Sequence, residues 1–510
     1  MNFANAINEE SKRTFTENGQ EALNTTGNAV LDLFGTIGSL RDADDLRVQT
    51  LFAEAYKEDP LLATKCLFYA RDVRGGLGER KVFRTLLKYA AKMHPECIRP
   101  NIIYIPFFGR YDDLYELIDT PVEDDMWVYM KFVFESDLKS MEDKEPCTLL
   151  AKWMKSSKTT VKETRRLGLL TAKKLGMQER EYKHKLHALR EYLKVVEVDM
   201  AARRWSNIEY SKLPSRAIRK YVASFKRHDN DRYLEWIESI KKGESKVNAS
   251  TLYPYDLIER YFNTGSIYNR FSNYDELVEA QWKALPDYVG KGVNAMVIAD
   301  TSGSMFCATS GGKKGRPLTS AVGLALYFAE HNTGAYHNLW MSFSHESSIQ
   351  RVKGETLLQK LHNINYNDWS GDTNIELAFD KILNIAIKNK VPRDEMIKSL
   401  IIISDMEFNQ CTEYSSYHWT FYDSMYEKYR DAGYDLPNIV FWNVDSRQNV
   451  FHVDSKRKGV QLCSGQSTAT FKQLLESIGK TPVEMMLKVL NQERYSIISI
   501  DKNLKSKIYF

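Results

Sequence analysis

The sequence predicts a multidomain protein, with an all-α helical-repeat domain over residues 1–285 followed by a doubly wound α/β domain over residues 286–510. Three observations lead there. A chain of 510 residues is too long for one ordinary core. Apolar residues recur at helical spacing through the first half, with strand-like alternation nearly absent. Near Pro286 that pattern gives way to short apolar runs separated by helical segments.

In the first half, Leu46–Lys57 places Leu46, Val48, Leu51, Phe52 and Ala55 at near-helical spacing, and Phe83–Ala91 and Leu186–Val196 repeat the pattern. Many amphipathic helices without a strict sequence period predict an irregular, HEAT-like solenoid of stacked helix pairs. In the second half, Val293–Ala299 opens a series of strands that continues at His337–Phe343, Ser399–Ile403, Asn438–Asn443 and Gly459–Cys463. Helices fall between them at Leu318–Glu330, Ile375–Lys388, Tyr422–Asp431 and Phe471–Ile478. Short apolar strands alternating with helices imply a mostly parallel sheet covered on both faces. Ser310–Arg316, rich in Gly and Lys, reads as a flexible loop after the first strand.

Apolar residues make up 43% and charged residues 27% of the chain, which suits a folded protein rather than a disordered one. No apolar run approaches the roughly 20 residues that span a bilayer. The first residues lack the basic-then-apolar layout of a signal peptide, so a soluble, cytoplasmic protein without a membrane partner is expected. Cys66, Cys97, Cys147, Cys307, Cys411 and Cys463 are scattered, with no C-x-x-C and no Cys/His cluster. They read as reduced, packed thiols rather than zinc ligands.

The most specific motif is Asp300-Thr301-Ser302-Gly303-Ser304, directly after the first strand of the α/β half. Ligands of open α/β sheets collect beyond the carboxyl ends of strands. One carboxylate and two hydroxyls within five residues form a set of hard oxygen donors, the kind Mg²⁺ or another divalent cation takes. Thr373, in Ser370-Gly371-Asp372-Thr373-Asn374, and Asp405, after the apolar Ile401-Ile402-Ile403, complete the set. Asp372 and Glu407 read as outer or surface groups. Each element alone is also what a loop cap or turn uses. Together, D-x-S-x-S, a later Thr and a later Asp resemble the metal-ion-dependent adhesion site of von Willebrand factor A domains. The resemblance implies an A-type domain, with Ser302, Ser304 and Thr373 as direct ligands and Asp300 and Asp405 acting mainly through water. It also implies that a partner's carboxylate supplies the remaining ligand. No P-loop, zinc-hydrolase motif or nucleophile elbow is present, so no enzymatic activity is expected.

The net charge of +4 conceals an asymmetry: residues 151–230 carry 21 Lys and Arg against 8 Asp and Glu. A local basic excess on a chain acidic elsewhere points to an anionic partner. Lys173, Lys174, Arg203, Arg204, Arg216, Arg219 and Lys220 are the candidate phosphate contacts there. Further upstream, Arg71-Asp72-Val73-Arg74-Gly75-Gly76-Leu77-Gly78-Glu79-Arg80-Lys81 offers Arg71, Arg74, Arg80 and Lys81 around glycines. It reads either as a phosphate cradle or as a tight inter-helix turn whose arginines pair with nearby acids. Phe107 and Phe108, beside Gly109-Arg110-Tyr111-Asp112-Asp113-Leu114, read as core rather than as base-stacking groups.

The order of Arg71–Arg80, Phe108–Leu114, the basic helices, Lys246-Val247-Asn248 and Leu252-Tyr253-Pro254 ahead of an A-type domain resembles the DUF2828 family. That layout is in turn similar to TROVE-domain Ro proteins, whose helical repeats bind structured RNA. The resemblance implies a non-catalytic RNA-binding scaffold, with the cation site engaging an acidic protein partner or locking two domains together. A cation-dependent protein-interaction module without nucleic acid is the alternative, and a metal-dependent hydrolase the more remote one.

Overall fold

The computed structural model describes residues 3–262, 272–306, 317–414, 416 and 419–501. The Ser310–Arg316 loop and Cys307 lie outside them. The chain forms two compact units. One consists of Met1–Ala70, Arg74–Val82 and Ala249–Tyr495; the other consists of Arg71–Val73, Phe83–Asn248 and Ser496–Phe510. The division therefore does not follow the boundary expected at residue 285.

The first unit is built on a six-stranded sheet. A small hairpin precedes it, β1 (Arg13–Phe15) with β2 (Glu21–Leu23). The sheet itself is made of β3 (Ala295–Asp300), β4 (Leu339–Phe343), β5 (Ser347–Arg351), β6 (Ser399–Ser404), β7 (Asn438–Asn443) and β8 (Val460–Ser464). Their order is β5-β4-β3-β6-β7-β8. All neighbours are parallel except β4 and β5, which are antiparallel. β3, β6 and β8 are buried along their whole length, as strands covered on both faces must be. The five parallel strands lie within a residue or two of the apolar runs in the sequence. β5 was not foreseen: Ser347-Ser348-Ile349-Gln350-Arg351 is an edge strand of mostly polar composition, buried only at Ser347 and Gln350.

Helix Pro317–His331 lies against β3, β4 and β6 and is buried from Pro317 to Ala329. The N-terminal residues join this unit for a clear reason. Helix Ala29–Thr36 is apolar on nearly every side, with every residue from Val30 to Thr36 buried, and such a helix must be enclosed. It packs on β8, where a Cβ at Gly35 would stand 3.4 Å from Leu462. Asn28 caps it through the Leu31 N–H at 2.7 Å.

The second unit is helical. Its main helices from Phe83 onward are Glu123–Glu142, Lys162–Lys174, Glu179–Tyr192, Ser215–His228 and Asn230–Lys241. Glu179–Tyr192 packs on both preceding helices, and Arg190 ties it to the Ala151 and Met154 carbonyls at 2.8 and 2.6 Å. It stops before Val196, the expected end, because Lys194 takes a left-handed conformation with φ 49°. Tyr210, Phe225, Tyr233 and Trp236 form an aromatic core between the last two helices. Phe108 is fully buried as expected, whereas Phe107 is half exposed. Among the described residues, five cysteines are free and no helix is long and apolar enough to cross a membrane.

Candidate metal centre

β3 delivers Asp300 to its carboxyl end, and β6, its hydrogen-bonded neighbour, delivers Ser404 and then Asp405. Both acids are almost fully buried. The loop after β3 is held by the Thr301 N–H, which donates to the Phe343 carbonyl at 2.8 Å, and by the Ser302 N–H, which donates to Asp300 Oδ1 at 2.9 Å. A second loop is clamped to the first: Ser370 N–H donates to the Thr301 carbonyl and Gly303 N–H to the Gly371 carbonyl, each at 2.8 Å. Gly371 is required by close approach, since a Cβ there would stand 2.5 Å from the His345 Cβ. This clamp carries Thr373 to the same end of the sheet.

Four of the five donors foreseen in the sequence, Asp300, Ser302, Ser304 and Asp405, lie together. Ser304 Oγ donates to Asp405 Oδ2 at 2.7 Å, and Ser302 Oγ lies 3.2 Å from Ser304 Oγ. Ser404 Oγ donates to Asp300 Oδ2 at 2.5 Å. Thr373 is buried at the same end of the sheet, where its Oγ1 accepts from Asn18 Nδ2 at 3.3 Å, and it has no direct bond to the other four. Asp372 is exposed, in keeping with a surface role. Glu407, read as an outer or surface group, is buried, and its carboxylate accepts from the Glu17 N–H at 2.7 Å.

Negative charge exceeds what this end of the sheet neutralises. Burial, and after it the charge of Asp405, pushes the Asp300 carboxyl well above the usual carboxylate range. The same two causes, in the same order, push Asp445 up to about 6. Burial also raises Glu407, although the Glu17 N–H and Gln448 oppose it. Arg47 faces Asp445 and Glu407, and Arg447 bonds the acids directly: its guanidinium bonds Asp405 Oδ2 and, at 2.5 Å, Glu17 Oε2. Burial acts to lower the Arg447 pKa, but the charges of Asp405, Glu17 and Glu407 and the bond to Asp405 together outweigh it and hold the group above its usual value. A buried, acid-rich set of carboxylate and hydroxyl oxygens is the donor chemistry that a hard divalent cation takes.

Glu17, Asn18, Asp445 and Arg447 carried no expectation. The signal was faint: Asp445-Ser446-Arg447 lies just past the carboxyl end of β7, much as Asp300 ends β3 and Asp405 follows β6. A second carboxylate group, Glu376, Asp380 and Glu413, surrounds the Lys428 ammonium, which pairs with all three and already fills the place of a cation.

The basic candidates differ in burial and in the acids they meet. In the helical unit, Arg71 is buried and its Nε donates to Asp113 Oδ2 at 2.8 Å. Arg84 shares Asp113, and Arg110 forms a fork on Asp112 at 2.8 and 2.7 Å. The two acids of Arg110-Tyr111-Asp112-Asp113 thus hold three arginines, and Arg71 presents no face to a phosphate. In the α/β unit, Glu79 is buried under a two-pronged pair with Arg41, and Gly78 turns the chain with φ 67°. The glycine-rich stretch is a tight turn with paired charges, the second of its two readings. Arg74, Arg80 and Lys81 are exposed, with Lys81 Nζ donating to the Arg41 carbonyl. Lys174 pairs with Glu123 and Asp124, and Arg204 with Glu191 and Asp199. Lys173, Arg203, Arg216 and Lys220 are exposed and Arg219 is half-buried.

A family model for a domain of unknown function, DUF2828, matches residues 16–166 and 138–291, more than half of the chain. The chain belongs to the DUF2828 family. A second model of unknown function, DUF7788, matches residues 294–507, which include Asp300 and Asp405. The DUF2828 match begins at Thr16, so it takes in the Glu17 and Asn18 turn as well as the helical unit. An uncharacterized protein of Acanthamoeba polyphaga mimivirus is 29% identical over 523 residues, covering 94% of this chain and 87% of that protein.

Proposed function

We propose that this DUF2828 protein is a non-catalytic scaffold whose α/β unit contains a von Willebrand factor A-like domain holding a divalent cation. Mg²⁺ is the best match to its hard oxygen donors. The observation that carries this reading is the position of the acids. From β3 the chain runs outward through β4 and β5, then returns to β6 on the other side. Asp300 and Asp405 leave the two strands that flank this reversal, where open α/β sheets bind their ligands. Ser302, Ser304 and Thr373 supply the hydroxyls, and Ser404 orients Asp300. A bound cation would neutralise the buried charge and fix these loops against each other.

The helical unit supplies the second part of the proposal, an RNA-binding surface. Its support is the basic excess of residues 151–230, together with the exposed Lys173, Arg203, Lys226 and Arg227, none of which forms an ion pair within the described residues. Resemblance in layout to Ro-type proteins favours RNA over another polyanion. The cation reading is tested by equilibrium dialysis against MnCl₂ as a probe: wild type retains Mn²⁺ at one site and Asp300→Ala retains none. Equal retention by both proteins, or none by either, removes it. The RNA reading is tested on natively purified protein at low salt. RNase-sensitive material released by rising salt supports it, while a clean protein spectrum leaves a cation-dependent protein-interaction module.

A further inference from the structure

The turn between β1 and β2 is fixed over the metal centre on both sides of Glu17. Thr16 Oγ1 donates to the Phe408 carbonyl at 2.7 Å, and Asn18 Nδ2 donates to the Glu407 carbonyl at 2.5 Å. Gln20 Oε1 accepts from the Cys411 N–H at 2.9 Å, Gly19 bridges to Asn409, and Leu23 exchanges backbone bonds with Phe451 at 2.8 Å. Glu17 itself keeps a partly exposed carboxylate, at 44% of its side-chain surface. It pairs with Arg447, whose other terminal nitrogen holds Asp405. One planar guanidinium so brings an oxygen of Glu17 and an oxygen of Asp405 to the same small cation.

Resting on the cation reading above, we propose that Glu17 is the carboxylate that completes this site from within the chain, and that Arg447 competes with the divalent cation for Glu17 and Asp405. The position that an outside acidic partner would occupy is then filled by residue 17. The site works as an internal clasp, securing the N-terminal hairpin to the sheet, and does not serve as an adhesion point.

The test is calorimetric titration of the full chain with MnCl₂, in wild type, Glu17→Gln, Arg447→Gln and Asp300→Asn, paired with hydrogen exchange of residues 13–23. Removing a carboxylate ligand weakens binding by about tenfold or more, and removing the competing guanidinium strengthens it by about tenfold. Mn²⁺ slows exchange across residues 13–23 in wild type and leaves it unchanged in Glu17→Gln. Wild-type affinity in both Glu17→Gln and Arg447→Gln, with binding still abolished in Asp300→Asn, overturns the clasp and leaves the cation reading standing. No binding by any of the proteins, Arg447→Gln included, overturns both.

Discussion

Ser404, the last residue of β6, donates its hydroxyl to Asp300, the last residue of β3, at 2.5 Å, so the two central strands are joined at the point where their acids emerge. Asp300 also accepts from the Ser302 N–H, and its carboxylate is thereby aimed before any ligand arrives. Ser404→Ala removes the hydroxyl and leaves a fully buried carboxylate short of a donor. The expected cost is about 1–3 kcal/mol in urea unfolding of the cation-free protein, with a weaker Mn²⁺ affinity in dialysis. An unchanged unfolding midpoint would show that Asp300 does not depend on this bond.

Gly371→Ala tests the clamp that carries Thr373. The added Cβ would meet His345 Cβ at 2.5 Å, so the 370–373 loop must move. Overpacking of this kind costs about 1–3 kcal/mol. Cation affinity falls with it, because Gly303 N–H loses its partner at the Gly371 carbonyl. A variant with wild-type melting and wild-type Mn²⁺ affinity would contradict the clamp.

His452 sets an acid limit on stability. It is buried and stacked on Phe408 with centroids 4.6 Å apart, and its Nε2 donates to the Met406 carbonyl at 3.1 Å. Burial lowers its pKa from 6.5 to about 4. The folded state then binds fewer protons than the unfolded chain between those values. The stability this contributes is complete above pH 6.5 and is lost as pH falls towards 4, to a total on the order of 3 kcal/mol. His452→Phe is expected to lose stability less steeply than wild type across that window, read from urea midpoints at pH 7 and pH 4.5. Parallel pH profiles for the two proteins would show that His452 is not the titrating group.

The Arg71–Asp113 pair predicts a stability effect that is separate from RNA. Asp113→Ala strands a buried guanidinium and is expected to cost about 3–5 kcal/mol. Replacement of Arg203, Lys226 and Arg227 by Ala leaves the melting temperature in place. That variant weakens binding to a single-stranded RNA probe and lowers the slope of log K against log salt by about one for each phosphate no longer neutralised. An unaltered slope would place RNA elsewhere or nowhere on this unit.

The sheet and the acids were legible in the sequence because both signals are local. β3, β6 and β7 have unbroken apolar centres and β8 a mostly apolar one broken by Gln461, as strands covered on both faces should, each ending near a polar turn. β5 escaped because an edge strand has little to bury: Ile349, its lone aliphatic residue, is half exposed. β1 and β2 span three residues each, too short to show a period of two. Glu17 and Arg447 were invisible for a different reason. They are 430 positions apart and meet only through tertiary packing of the N-terminal hairpin on the sheet. Arg71 could be read two ways from its neighbours, as part of a phosphate cradle or of a turn with paired acids, and the fold decides by setting Asp113 against it.

The central claim is a cation at Asp300, Ser302, Ser304, Thr373 and Asp405, and its most direct measurement is thermal unfolding in EDTA and in MgCl₂, for wild type and Asp300→Ala. A ligand that binds only the folded chain stabilises it by about 2.7 kcal/mol at roughly 100 times its Kd. Wild type is therefore expected to melt higher in MgCl₂ than in EDTA, with no such shift in Asp300→Ala. Equal melting temperatures for wild type in the two solutions, or an equal rise in both proteins, would contradict the claim.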